Sequence, residues 1–555
     1  PPGVGKTSLV MSLGKRLGFN VVRINLSEHT EMLDLVGSEL PVENGESGNF
    51  AWRDGAFLSA LKNGDWVILD ELNLASQCVL EGLNSCLDHR AALFVPELNM
   101  EFKCHPEFRI FGCQNPAGAG HGRKSLPRSF LNRFTRVYVD ELSANDFQFI
   151  IAHSYTDIDL ELRKKMISFI AKLNEMKLKN DFEFNLRDVF RLCELIIAGI
   201  TPQKALTLLF LQRLRTTRDR EEVCNMLFAL FGNFDMNPKP FLISSKEFRI
   251  GDLRIDRTMS TYAPTDLIIH PSIIPHLEAI LTCAYMKWPG LVVGGTATAK
   301  SSLIRLAAHI SGKKLVEFSM NNSVDTTELL GGFEQMDNHR CFEQLREKIK
   351  PSDAQSLLQL ENIDTLEDLI ELIDQNREQL PADIISEASQ LFNRKKNSDP
   401  GRFEWVDGLL LRAMRNGWWI IIDNANLCPP AVLDRLNPLC EPGGVLTLNE
   451  RGIVDDDIET IVPHEDFRLF MTVDPRYGEI SRAMRNRSIE IYLPSFYERM
   501  KDEKSAKLLE EECKDLCGEQ GEEFYQLMNE CKSEENSLMK LSAWNMMAYR
   551  NFRRQ

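Results

Sequence analysis

The sequence predicts an α/β protein built from two tandem P-loop modules, each a parallel-sheet core followed by a helical lid. Three observations carry this. A Gly-Lys-hydroxyl element opens the chain in "PPGVGKTS" and returns in "GGTATAKSS", at Lys6 and Lys300. An apolar run ending in Asp follows each, "VILDELNL" (67–74) and "IIIDNANL" (420–427). Further landmarks recur around these in one order, the mark of an internal duplication.

After each Gly-Lys element comes a helical stretch and then a short strand, "NVVRINLS" and "KLVEFSMN". Thr30-Glu31 and Thr326-Thr327-Glu328 lead into "LVGSEL" and "LLGGFE". Aromatic-rich stretches follow, "FAWRDGAFLSALKNGDW" and "FEWVDGLLLRAMRNGWW", and then the paired acid-terminated strands. A third strand appears as "FRIFGCQNP" and "FRLFMTVDP", and "LPRSFLNRFTRVYV" matches "ISRAMRNRSIEIYL". The boundaries expected are 1–140 for the first core, 266–495 for the second and 496–555 for a partial helical lid. Residues 141–265 read as amphipathic helices ("DIDLELRKKMISFIAKLNEM") closed by a small β piece ("FRIGDLRID"), a lid-like domain. The second repeat carries an insert at about 336–400, rich in Glu, Gln, Lys and Leu. Its pattern suggests exposed helices, serving either as a solvated elaboration or as a docking arm. The chain opens without Met and with a motif under way, which reads as a piece of a longer protein.

At 555 residues, a prior of about 150 residues per domain gives roughly four domains. A net charge of -16 argues against a bulk electrostatic grip on phosphate, so no direct sequence-specific nucleic acid binding is expected. Contact with a nucleoprotein through local patches stays open. Thirteen cysteines without a C-x-x-C pair argue against a zinc ribbon or disulfide framework and for a reducing compartment. No apolar run approaches the roughly 18 residues of a membrane span, so no membrane partner is expected.

"PPGVGKT" is the end of G-x-x-x-x-G-K-[ST]. Pro2, Gly3, Val4, Gly5, Lys6, Thr7 and Ser8 would form a phosphate cradle, because glycines let backbone N–H groups approach phosphate and the next helix offers its positive end. Lys6 would neutralise β/γ-phosphate charge, and Thr7 with Asp70 would hold Mg2+. Glu71 would polarise the attacking water as general base; the bland alternative is an exposed acid at a strand end. Asn115 in "CQNP" would hold that water or the γ-phosphate, unless it is only a turn residue before Pro. Arg133 in "FLNRF" would be an arginine finger for a neighbouring site, and Arg187, early in a lid helix, would reach back to phosphate; each could instead be a surface ion pair.

The second copy departs. Its loop, Gly294, Gly295, Thr296, Ala297, Thr298, Ala299, runs into Lys300, Ser301 and Ser302. A Cβ at Ala299 crowds the phosphate approach and costs about 1–2 kcal/mol if the backbone there is left-handed. Lys300, Ser301 and Asp423 remain, so nucleotide and Mg2+ binding is expected. Asn424 stands at the base position and Asp474 at the Asn115 position. Loss of a base typically forfeits about 10²–10⁴-fold in rate, so this copy should hydrolyse slowly or not at all. Yet Arg487 matches Arg133 and Arg482 matches Arg128. A finger kept without a base makes sense if it serves another site.

These motifs together resemble the AAA+ ATPases, and more narrowly their dynein-related branch in ribosome assembly. The narrower likeness lies in "VRINLSEHTEMLDLVGSELPVE", "FAWRDGAFLSAL", "DWVILDELNLASQCVLEGLNSCLDHR", "LPRSFLNRFTRVYVDEL" and "ISRAMRNRSIEIYL" and extends over nearly the whole chain. The resemblance implies three-layer α/β/α cores with helical lids, ATP and Mg2+, and six AAA+ modules of one polypeptide forming a ring, two of them consecutive here. It implies remodelling of pre-60S ribosomal particles and release of their assembly factors, in nucleolus and nucleoplasm. In such rings one module's nucleotide is completed by the next module's finger. Arg487 would then serve Lys6, Thr7, Asp70, Glu71 and Asn115, and Arg133 a preceding module. The insert falls where such modules carry a helix-2 insertion. Two other readings compete. One is a nucleotide-regulated scaffold; the other is a dynein-type motor, against which nothing here resembles a microtubule-binding stalk.

Overall fold

The computed structural model describes residues 3–26, 30–41, 50–115, 126–176, 184–232, 241–244, 247–251, 253–256, 273–335, 373, 403–451, 453–454, 457–495 and short pieces between 498 and 514. In the second core, five apolar runs form a parallel sheet in the order Leu315–Ser319, Trp419–Asp423, Arg468–Val473, Gly290–Gly294, Ile489–Leu493. Side chains alternate across a strand, so one sheet builds two cores. Ile420, Ile422, Met471, Leu291 and Val293 pack with Leu329, Leu410, Leu411 and Met414 on one face. Ile421, Phe470, Val292, Ile489 and Ile491 pack on the other with Leu303 and Ile304 of helix Lys300–Ser311 and Leu277 and Ile280 of helix Ile274–Tyr285. The result is helix, sheet, helix: the three layers expected.

The first core repeats the leading part of that order with Val21–Asn25, Trp66–Asp70 and Arg109–Gly112, all parallel. Register is conserved between the copies, since Asn25 pairs with Asp70 as Ser319 pairs with Asp423. Residues 135–139 match strand Ile489–Leu493 in sequence but are not a strand, and Val137 and Tyr138 are 80% and 83% exposed. The physical difference is the partner. Ile489–Leu493 hydrogen-bonds to Gly290–Gly294, the strand leading into its P-loop, and 135–139 has no such partner among the described residues.

Each module also carries an antiparallel hairpin, Gly37–Pro41 with Phe50–Asp54 and Gly331–Gln335 with Phe403–Asp407. Both begin on a glycine with positive φ, 125° at Gly37 and 117° at Gly331, where a Cβ would lie 2.1 Å from a carbonyl oxygen of the partner strand. The insert expected at 336–400 lies outside the described residues except for Ile373. Its two ends, Gln335 and Phe403, are cross-strand partners, so it issues from the tip of this hairpin.

The lid comprises helices Ala144–Ser154, Leu160–Glu175, Leu186–Ile197 and Thr217–Phe231, with a shorter helix Pro202–Leu206 running on into a π turn. Capping boxes start two of them, Ser143 with Asp146 and Asn185 with Asp188. The small β piece is a three-stranded antiparallel sheet, Phe241–Ile243, Glu247–Ile250 and Leu253–Asp256. Lid residues Phe169, Leu192, Phe210 and Leu227 belong to the same continuous core as Leu277, Ile304 and Ile489. The packing unit therefore crosses residue 265 and ties the first lid to the second core. Buried Glu490 adds an ionic clamp, accepting from Arg215 of the lid at 2.9 Å and from Arg485 at 2.7 Å. The partial lid expected at 496–555 lies almost wholly outside the described residues. Among them, no helix is long and apolar enough to cross a membrane.

Candidate functional site

A cleft of about 190 Å3 opens between the two cores. The first core lines it with Gly3, Val4, Gly5, Lys6, Thr7, Ser8, Arg23, Asp70, Glu71 and Asn115; the lid adds Arg187, and the second core adds Glu441, Arg482, Asn486 and Arg487. Residues from three structural units thus meet at one place.

The loop before helix Lys6–Leu17 turns on two left-handed glycines, Gly3 at φ 77° and Gly5 at φ 85°. Nothing lies within 4 Å of where a Cβ would sit on Gly5, while at Gly3 it would come 3.2 Å from Asn185 Cβ. Pro2 lies outside the described residues. Strand Trp66–Asp70 is buried along its whole length and delivers Asp70 at its end, where Thr7 Oγ1 donates to Asp70 Oδ2 at 3.3 Å. A hydroxyl and a carboxylate beside an open, amide-lined turn fit a polyphosphate and Mg2+, which prefers few protein oxygens. Glu71 follows at φ 54°, a left-handed residue that swings the chain into the turn Leu72–Leu74. Asn115 Nδ2 donates to Glu71 Oε1 and Oε2 at 3.1 and 3.3 Å, and Asn115 Oδ1 accepts from Lys6 Nζ. Lys6 also donates to the Gln114 carbonyl at 3.0 Å.

Arg487 ends helix Arg482–Arg487 and is 7% exposed. Its Nε donates to Glu441 Oε1 at 2.9 Å. The same oxygen lies 3.7 Å from Arg187 Nη2 and accepts from Arg23 Nη2 at 3.2 Å, while Arg23 Nη1 donates to Oε2. Arg23 also reaches Asp70 Oδ2, with Nε at 3.1 Å and Nη2 at 2.6 Å. Burial alone would push the Glu441 carboxyl up, but hydrogen bonding to Arg23 and the charges of Arg23 and Arg487 hold it at about 2. Burial and the neighbouring Arg487 charge push Arg187 down, partly offset by Glu441. Arg133 lies outside the cleft lining and donates to Asn84 Oδ1 at 3.0 Å and the Ser129 carbonyl at 2.8 Å within its own module.

Sequence reasoning missed Arg23 and Glu441. Arg23 left a faint signal, one cation inside an apolar strand. Glu441 left only an acid shared with its match in the first copy, Asp88, which pairs with Arg90 at 2.7 Å in its own module and so gives no hint of a role at the cleft.

The second P-loop is arranged differently. Ala297 and Ala299 sit at φ 61° and 64°, left-handed where the first copy has Gly3 and Gly5. Lys300 Nζ donates to the Gly294 and Gly295 carbonyls at 2.9 and 2.7 Å, and Thr298 Oγ1 donates to the Gly295 carbonyl at 2.9 Å. Ser301 Oγ donates to Asp423 at 2.9 Å, and Ser302 follows in the helix. Asp474 accepts from Thr296 Oγ1 at 2.9 Å and from Arg476 Nη2 at 2.6 Å. Burial pushes this carboxyl up, yet the hydrogen bonds from Arg476 and Thr296 hold it at about 2. Asn424 adopts the φ of Glu71, 54°, a left-handed angle that Asn tolerates well. The substitution therefore changes the chemistry without changing the turn.

Two α/β P-loop cores and a lid that meet at such a cleft are AAA+ modules. A model of the AAA domain of the dynein-related subfamily matches residues 1–134 and 365–488, and a model of the midasin AAA lid domain matches residues 146–233. The chain belongs to the midasin family of dynein-related AAA proteins. Midasin of Dictyostelium discoideum is 41% identical over 599 residues, covering 89% of this chain and 10% of that protein. Midasin of Giardia intestinalis is 33% identical, covering 88% of this chain and 12% of that protein. The chain thus spans about a tenth of the length of these relatives. An uncharacterized protein of Staphylococcus aureus (strain bovine RF122 / ET3-1) is 24% identical over 231 residues, 40% of this chain and 86% of that protein.

Proposed function

We propose that the cleft at Lys6 binds ATP with Mg2+ and hydrolyses it, and that this hydrolysis drives a ring of AAA+ modules. The observation that supports this best is the meeting of Arg487 with the P-loop, Asp70, Glu71 and Asn115 in one cleft. Gly3 to Ser8, with Lys6 among them, would hold the phosphates, and Thr7 and Asp70 would hold Mg2+. When bound, Mg2+ would supply positive charge that neutralises the phosphates. Glu71 takes the proton of the attacking water, Asn115 orients the Glu71 carboxylate, and Arg487 with Arg187 offsets charge on the phosphates as it develops. Arg133 serves a preceding module. The second P-loop, with Asn424 and Asp474, binds nucleotide without hydrolysing it. At the scale of the ring, the family supports remodelling of pre-60S particles and release of assembly factors in the nucleus.

The test is ATP turnover by the chain with Glu71→Gln and Arg487→Ala in parallel. Both variants should lose turnover while Glu71→Gln still binds ATP. Turnover unchanged in either would sink the assignment. For the client, a Glu71→Gln full-length protein should accumulate on pre-60S particles in a nuclear extract; an even distribution across gradients would refute it. The scaffold reading applies to the second site, where Lys300 is tied to its own loop carbonyls.

A further inference from the structure

We infer that Glu441, from the second core, is a positioning residue for the first core's nucleotide, setting Arg487 through its Nε and gathering Arg187 and Arg23 at the same carboxylate. This rests on the Lys6 cleft being a nucleotide site. Three guanidiniums from three units converge there beside Lys6, and like charges at such range drive flexible side chains apart. One carboxylate stands between them: Oε1 takes Arg487 Nε at 2.9 Å and Arg23 Nη2 at 3.2 Å and lies 3.7 Å from Arg187. The Arg487 contact uses Nε, which leaves both Nη amino groups for phosphate oxygens. A planar fork gripped at its stem is oriented at its tips.

Glu441 is itself fixed from the first core. Arg23 bridges it to Asp70, so the chain of contacts runs Asp70, Arg23, Glu441, Arg487 across the module boundary. The Mg2+ ligand and the finger are therefore linked by alternating charges. A carboxylate that only glued the modules together would have no reason to touch both the metal-ligand strand and the finger. The matched acid in the first copy, Asp88, makes a local pair with exposed Arg90 instead.

The experiment measures binding of ATPγS and of ADP to the full chain, counting only the signal that Lys6→Ala removes. An oriented Arg487 touches the γ-phosphate, so the wild type should prefer ATPγS, and Arg487→Ala should lose that preference. Glu441→Gln keeps the shape and removes the charge. It should weaken the preference about 10- to 100-fold, the scale of a lost charged hydrogen bond, with ADP affinity unchanged. Glu441→Asp should restore part of it. In the Arg487→Ala background, Glu441→Gln should add nothing, because it acts through that arginine. A Glu441→Gln chain that keeps its preference, an effect that adds fully to Arg487→Ala, or a wild type without preference each overturns the inference. Because the readout is binding, a cleft that discriminates but never hydrolyses would refute the hydrolysis proposal and leave this one standing.

Discussion

Glu71 and Asn424 occupy the same left-handed position after the same buried strand, so the two copies differ there in proton affinity and not in backbone. Glu71→Gln should therefore cut ATP turnover by about 10²–10⁴-fold while nucleotide binding survives, measured as phosphate release beside equilibrium binding. The reverse change should fail. Asn424→Glu returns a carboxylate, but Lys300 stays on the Gly294 and Gly295 carbonyls, and Asp474 stays with Thr296 and Arg476. Turnover in a Glu71→Gln, Asn424→Glu chain should remain at background; recovery would mean that the base alone separates the two sites. Residues in a motif at fixed spacing, Lys6, Thr7, Asp70 and Glu71, were legible in the sequence for this reason. Glu441 was not, since its meaning comes only from a partner surface folded against it.

At the scale of elements, the hairpin glycines make a sharp case. Gly37 and Gly331 open matched hairpins, and at each a Cβ would lie 2.1 Å from backbone oxygen, of Arg53 and of Val406. Neither oxygen is free to move, because both belong to the paired strand. Gly37→Ala should destabilise the first core by about 1–3 kcal/mol or more, the overpacking range, with strain at positive φ added. A thermal melt that does not shift would contradict the close approach. The strands themselves followed from apolar runs and their repetition, whereas their order in the sheet and the hairpins did not, because both depend on pairing between distant segments. The length of the lid's packing unit did not, because helical periodicity shows which face is apolar and not what covers it. Phe210 and Leu227 of the lid and Leu277 and Ile304 of the second module prove to share one core. A fragment of residues 141–265 expressed alone should consequently lack a cooperative unfolding transition, whereas residues 141–495 should show one in calorimetry.

For the whole molecule, the question is what holds the two cores in register across the cleft. Arg23 and Glu441 come from different cores, and Arg487 and Arg187 lie against the same carboxylate. The contact is partly buried, with side chains about a quarter exposed or less for Arg23 and Glu441, so solvent screens it incompletely. Glu441 is held at about 2, below the ordinary glutamate value of 4.5. A carboxyl depressed on folding contributes stability that is fully present above its unfolded value and is lost as pH falls through its folded one. The contribution of Glu441 should accordingly hold at neutral pH and decay between about pH 4.5 and 2. Comparison with Glu441→Gln isolates it: the melting-temperature difference between wild type and variant should be constant from pH 8 to 5 and shrink below that. Salt should reduce it only modestly, since the pair sits in the cleft and not on the rim. A difference that is flat through the acid range, or that grows as pH falls, would mean that the carboxylate charge does not hold the cores together, and docking would then rest on other contacts between them, such as Arg53 donating to the Arg451 carbonyl at 2.6 Å and the Phe50–Phe403 ring contact.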